Sequence, residues 1–199
     1  AFMSFVGPSG SGKTTLLNLI GGLDVPTTGN IFFKERGLSS MSREQMAEYR
    51  RENIGFIFQT YNLLPVYSVY ENVLFPLLLN GDKEKDVRDR VMEIVAKVGL
   101  TDQFKKRPAQ LSGGQCQRVA IARALVKDPL IILADEPTAN LDTENSLQIL
   151  ELMRQLNQQY QAAVIFSTHD EKGTRYVRRE VKLEDGRIVS DKNNVNGTA

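Results

Sequence analysis

The sequence predicts an α/β domain: a mainly parallel sheet covered by helices on both faces, with a helical segment inserted part-way along. Three observations lead there. Mostly apolar runs of strand length recur at residues 2–6, 54–58, 130–134 and 162–167, and near-continuous apolar runs are what strands buried on both faces look like. Between them lie stretches with apolar residues at helical spacing, and that alternation builds parallel sheets. From about Asn62 to Pro108 no strand signal appears, while Val87, Val91, Ile94, Val95 and Val98 repeat at helical intervals. The 199 residues are therefore expected to form one domain. Residues 1–61 and 109–199 make its sheet-bearing core with a C-terminal hairpin, and residues 62–108 its helical subdomain.

Each element has a local reason. Residues 2–6 read as a strand entered part-way along, running into a Gly-rich turn, and Phe2 and Phe5 are expected in the core. Residues 14–20 follow as a helix stopped by Gly21 and Gly22. Pro26, Thr27, Thr28 and Gly29 form a turn before a β-rich stretch at 30–33. Ser42 with Gln45, and Ser68 with Glu71, have the spacing of capping boxes and open two further helices. The apolar run 73–79 is interrupted by Pro76. Lys127, Asp128 and Pro129 separate a helix from the strand 130–134, and Leu147, Leu150, Met153, Leu156 and Tyr160 mark one face of another helix. Residues 181–183 and 188–189, joined by Asp185 and Gly186, form a hairpin. The last ten residues are polar and expected to fray.

Composition narrows the function classes. Lys and Arg total 25 against 24 Asp and Glu, a formal charge of +1, so bulk charge gives no support to nucleic-acid binding. The single cysteine, Cys116, forbids an internal disulfide. No apolar run approaches the ~20 residues that span a bilayer, and no basic segment precedes the short apolar start. The chain is expected to be soluble and to meet a membrane only through a partner.

The first motif with chemistry is Gly7, Pro8, Ser9, Gly10, Ser11, Gly12, Lys13 and Thr14, a G-x-x-x-x-G-K-T run after a strand and before a helix. Its glycines let successive backbone N–H groups turn inward around an anion, and the helix end adds a positive dipole. Lys13 is placed for the β- and γ-phosphates of a nucleotide and the Thr14 hydroxyl for Mg²⁺, with Thr15 beside them. The second is Asp135 and Glu136, delivered by an apolar strand to the C-terminal edge where open α/β sheets hold ligands. Asp135 suits Mg²⁺ and Glu136 suits polarising an attacking water. Alone this pair reads as a solvated loop; beside a phosphate loop it reads as catalytic.

Between these motifs stand Leu111, Ser112, Gly113, Gly114 and Gln115, at the start of an amphipathic helix. Ser112 and two glycines at a helix N-terminus make a second anion site without a lysine of its own. The LSGGQ run, in this order, resembles the signature of the ATP-binding-cassette ATPases, and the resemblance extends along nearly the whole chain. Gln59 ends its strand as the Q-loop glutamine does, residues 137–142 (PTANLD) look like the D-loop region with Asp142 at its end, and His169 follows a strand as the switch histidine does. The resemblance implies a P-loop NTPase fold of the cassette type, lacking at its start the antiparallel strands and adenine-stacking aromatic residue that usually precede the phosphate loop. It implies ATP and Mg²⁺ as ligands, with Gln59 on the metal or the water, Glu136 as base and His169 at the γ-phosphate. It further implies a head-to-tail homodimer in which Ser112, Gly113, Gly114, Gln115 and Asp142 close over ATP bound to the opposite subunit. Cys116 is read as a surface position, and residues 173–179 depart from the family's small-residue pattern.

Residues 16–24, 54–59 and 62–65 look most like the ATP-binding subunits of lipoprotein-release and macrolide-export systems. That implies an ATPase on the inner face of the cell membrane, working with a separate integral membrane permease. A cassette that signals without transport, as in cell division, is the alternative. A chromosome or DNA-repair cassette is excluded because residues 62–110 are too few for long coiled-coil arms. Leu63, Leu64, Val66, Tyr67, Val69 and Tyr70 offer either a socket for a partner's helix or ordinary core.

Overall fold

A computed structural model describes residues 1–169 and 176–194. Strands β1 (Phe2–Val6), β4 (Ile54–Ile57), β5 (Ile131–Ala134), β6 (Ala163–Thr168), β7 (Arg179–Glu184) and β8 (Arg187–Asn193) form one sheet in the order β4-β5-β6-β1-β7-β8. Every neighbour pair is parallel except the hairpin β7–β8. Helices α1 (Lys13–Ile20) and α2 (Arg43–Asn53) cover one face. Helices α3 (Val69–Leu79), α4 (Glu84–Lys97), α5 (Gly113–Leu125) and α6 (Thr143–Tyr160) belong to the other side.

The pleat explains the division. Along β5, Ile132 and Ala134 join the cluster containing α3 to α6, whereas Leu133 joins Leu17 and Tyr49 under α1 and α2. Phe2 and Phe5 fall into opposite clusters for the same reason, and both are buried. Between β4 and α5 the described chain holds α3, α4 and two short 3₁₀ turns. Among the described residues no helix is long and apolar enough to cross a membrane.

Both expected capping boxes form. Ser42 Oγ accepts from the Gln45 amide while Gln45 Oε1 accepts from the Ser42 amide, and Ser68 with Glu71 repeats the arrangement. Such a cap is worth about 1 kcal/mol.

Two expectations need correction. The β-rich stretch 30–33 shrinks to a two-residue strand β2 (Phe32–Phe33), paired with β3 (Arg36–Gly37) in a separate sheet, because the backbone reverses through a left-handed Lys34. Pro76 lies inside α3, which continues through it with Val73, Leu74 and Leu77 buried. The polar tail does not fray from residue 190; β8 reaches Asn193, where Arg179 pairs bidentately with Asp191 at 2.7–2.9 Å. Residues 170–175, which include the first three residues of the departing segment, and 195–199 are outside the described residues.

The turn after α5 is tied to the end of α2 by Lys127, whose Nζ donates to the Arg50 carbonyl at 2.9 Å. Burial pushes the ammonium pKa down to about 8. A base with a lowered folded-state pKa releases its proton earlier in the folded chain than in the unfolded one. Between pH 8 and the ordinary lysine value, about 10.4, the unfolded state therefore binds more protons and stability rises with pH. Lys127→Met is expected to flatten that rise, measured as urea midpoints of wild type and variant from pH 7.5 to 10.

Candidate functional site

The site lies where β1, β5 and β6 end together. After β1 the chain turns through Gly10 (φ +80°) and Gly12 (φ +96°) into α1, and Leu16 is the first helical amide to find its acceptor, on Gly12. The amides of the first turn have no such acceptor and point along the axis toward the loop. A neighbouring strand crowds the loop: a Cβ on Gly7 would sit 2.2 Å from the Leu183 carbonyl oxygen in β7. The β7–β8 turn braces it as well, the Gly186 amide donating to the Ser11 carbonyl at 3.1 Å.

Lys13 is 5% exposed, and its Nζ donates to the carbonyls of Gly7 (2.8 Å) and Pro8 (2.9 Å) while standing 3.8 Å from Glu136 Oε1. One residue on, the Thr14 hydroxyl lies 2.9–3.0 Å from both carboxylate oxygens of Asp135. Asp135 follows β5, its amide taken by the Ile57 carbonyl of β4. Glu136 adopts a left-handed backbone, φ +45°, which for a residue with a side chain costs about 1–3 kcal/mol. Its amide donates to Ser167 Oγ at 2.8 Å, and its Oε2 meets His169 Nδ1 at 2.5 Å. Ser167 in turn donates to Asp135 Oδ1 at 2.6 Å. Loop, both carboxylates and histidine are thus in direct contact.

Gln59 stands apart. Its side chain is exposed, and its carbonyl accepts from Asn140 Nδ2 at 2.9 Å. The next residues are pinned more firmly. Tyr61 and Asn62 are both left-handed, and the Arg123 guanidinium of α5 donates to both carbonyls at 2.5–2.7 Å. Burial holds that guanidinium below its ordinary pKa. Further along, Asn72 of α3 is fully buried and bonds Leu64 through both its amide and its carbonyl. Of the six apolar residues between 63 and 70, Val69 is core, Leu63 and Tyr70 pack against the core, and Val66 is 66% exposed.

The second Gly-rich helix start is also ordered. Ser112 caps α5, accepting from the Gln115 amide while Gln115 Oε1 accepts from the Ser112 amide. Gly114 abuts α6, where a Cβ would lie 2.9 Å from Asn145 Oδ1. Asp142 caps α6 by accepting from the Asn145 amide and side chain, bonds that hold its carboxyl below the usual carboxylate range. These two helix starts lie side by side. Among the described residues no hydrogen bond or ion pair joins Ser112, Gly113, Gly114, Gln115 or Asp142 to the loop from Gly7 to Thr14. Cys116 corrects its expectation: it is buried, its thiol lies 3.7 Å from the Pro108 carbonyl, and burial pushes its pKa up. The fourth residue of α5 turns inward under the 3₁₀ turn Pro108–Gln110.

Residues 1–139 match a family model described as ABC transporter. The chain belongs to the ABC transporter family. It is 44% identical over 192 residues, 96% of its own length and 78% of the relative's, to the lipoprotein-releasing system ATP-binding protein LolD 1 of Chlorobium chlorochromatii. Among solved structures it resembles the dimeric post-hydrolysis state of the ATP-binding cassette MJ0796 bound to ADP and Pi (39% identity, TM-score 0.87, covering 96% of this chain and 84% of that one). It also resembles cbiO1 from Clostridium perfringens, part of the transporter complex cbiONQ (30%, TM-score 0.89, 96% and 76%). This cassette is an ATP-hydrolysing, nucleotide-binding α/β protein.

Sequence reasoning missed Ser167, Arg123 and the Asp185–Gly186 turn as parts of the site. Ser167 alone carried a signal, a hydroxyl closing the apolar run 162–167 two residues before His169. Lys13→Ala removes charge-assisted hydrogen bonds worth about 1.5–3 kcal/mol. It is expected to weaken nucleotide binding by about 10- to 100-fold, read by calorimetric titration.

Proposed function

We propose that this cassette is the motor subunit of a bacterial transporter of the lipoprotein-release or macrolide-export type, working as a head-to-tail homodimer beneath a separate integral membrane permease. It sits peripherally on the cytoplasmic face of the membrane. The observation that carries the reading is the convergence of Lys13, Asp135, Glu136 and His169 at one end of the sheet, while a second anion-type helix start, among the described residues, makes no hydrogen bond or ion pair to the phosphate loop.

In this reading the amides of Gly10, Gly12, Lys13, Thr14 and Thr15 cradle the phosphates, with Gly7, Pro8, Ser9 and Ser11 shaping the loop. Lys13 gives up its carbonyl partners to hold the β- and γ-phosphates. Glu136, freed from Lys13 and His169, takes the proton of the attacking water. That water's oxygen forms the new bond to the γ-phosphorus as the bridging P–O bond breaks, releasing ADP and phosphate. His169 turns to the γ-phosphate, and Gln59 reaches in when its loop closes. Thr14 and Asp135 bring a hydroxyl and a carboxylate within 3.0 Å of each other, and hard oxygen donors of this kind suit Mg²⁺. Thr14 and Asp135, with Gln59, would hold the ion, which would neutralise charge on the phosphate oxygens. Ser112, Gly113, Gly114, Gln115 and Asp142 would complete the pocket of the opposite subunit.

Glu136→Gln is expected to keep ATP binding and to lower turnover by about 10²- to 10⁴-fold, with an ATP-bound dimer accumulating on size exclusion; undiminished turnover refutes the base assignment. Because each site borrows half its wall, specific activity is expected to rise with protein concentration until dimers saturate. A rate per subunit independent of dilution, with light scattering reporting monomers, contradicts the shared site.

A further inference from the structure

We propose that Ser167 is a positioning residue for hydrolysis, setting the orientation of both acidic groups through one hydroxyl. The proposal rests on the roles given above to Asp135 and Glu136.

The assignment follows from hydrogen-bond inventory. Ser167 is fully buried at the inner end of the site. Its oxygen lies 2.8 Å from the Glu136 amide, which can only donate, so the serine accepts there. Its own proton then goes to Asp135 Oδ1 at 2.6 Å. Both capacities are spoken for in a single direction, and the hydroxyl has no freedom to rotate without leaving one group bare. Thr14 approaches the same carboxylate from α1, so Asp135 is held by hydroxyls from two elements.

Sheet register puts the serine there. The β5–β6 ladder ends with Ala134 opposite Phe166. One further step brings Asp135 and Glu136 alongside Ser167, while the β1 side of the same strand pairs Ser167 with Phe5. An aliphatic residue would satisfy the burial at this position equally well. It would leave the Glu136 amide without this acceptor at the point where the backbone turns left-handed, and would let the Asp135 carboxylate rotate. The hydroxyl is therefore explained by what it orients.

Threonine and valine share a shape and differ in the hydroxyl, so Ser167→Thr and Ser167→Val form the decisive pair, with Ser167→Ala as the smaller control. Removing the hydroxyl is expected to lower kcat by about 10- to 100-fold, the usual effect of losing a group that orients a ligating carboxylate. Affinity for a fluorescent ATP analogue in EDTA is expected to stay within about twofold, because the phosphate loop is untouched. The Thr variant should keep a kcat near wild type. Equal kcat in the Thr and Val variants overturns the proposal, as does an alanine variant that loses metal-free nucleotide affinity as steeply as kcat. Glu136→Gln, assayed in parallel, separates the two ideas. If it abolishes turnover and Ser167→Val does not, the positioning role alone fails; if it leaves turnover intact, the underlying site assignment fails.

Discussion

The Asp135 carboxylate is held by hydroxyls from residues far apart in sequence, Thr14 on α1 and Ser167 on β6. That convergence requires β5, β6 and β1 to stand adjacent, parallel and in one register. A slip of one residue in β5 would turn Asp135 to the other face of the sheet, away from both hydroxyls. The apolar cores on either side fix the register, since Leu133 belongs to one and Ile132 and Ala134 to the other. Packing chosen by hydrophobic burial thus decides where a carboxylate stands.

Charge inside the site is balanced locally. Lys13 is almost wholly buried, and a buried ammonium without partners is costly. Two loop carbonyls and the more distant Glu136 supply them, and the histidine closes on the other oxygen of the same glutamate. In the proposed reading, a nucleotide enters a site whose groups already satisfy one another, and its phosphates displace contacts already made.

Much of this was legible in the chain. Apolar runs located the parallel strands because strands buried on both faces leave no alternation to confuse. Ser42 and Ser68 located helix starts because a cap is a contact three residues long. The loop, the Asp-Glu pair and His169 were legible because each follows its strand in sequence. Ser167 and Arg123 act across 31 to 62 residues of chain, and no period or spacing encodes such a distance. Cys116 was misread because one turn of helix beside a 3₁₀ segment has no exposed face that the sequence marks.

The clasp of Arg123 on Tyr61 and Asn62 carries a mechanical consequence. α5 begins with the Gly-rich signature and, nearly three turns later, grips the segment just past Gln59. Both carbonyls are held by one planar, five-donor fork, which ties the segment to α5 at two points. In the proposed shared-site arrangement, movement of that segment is thereby tied through α5 to the helix start that would meet the opposite subunit's nucleotide.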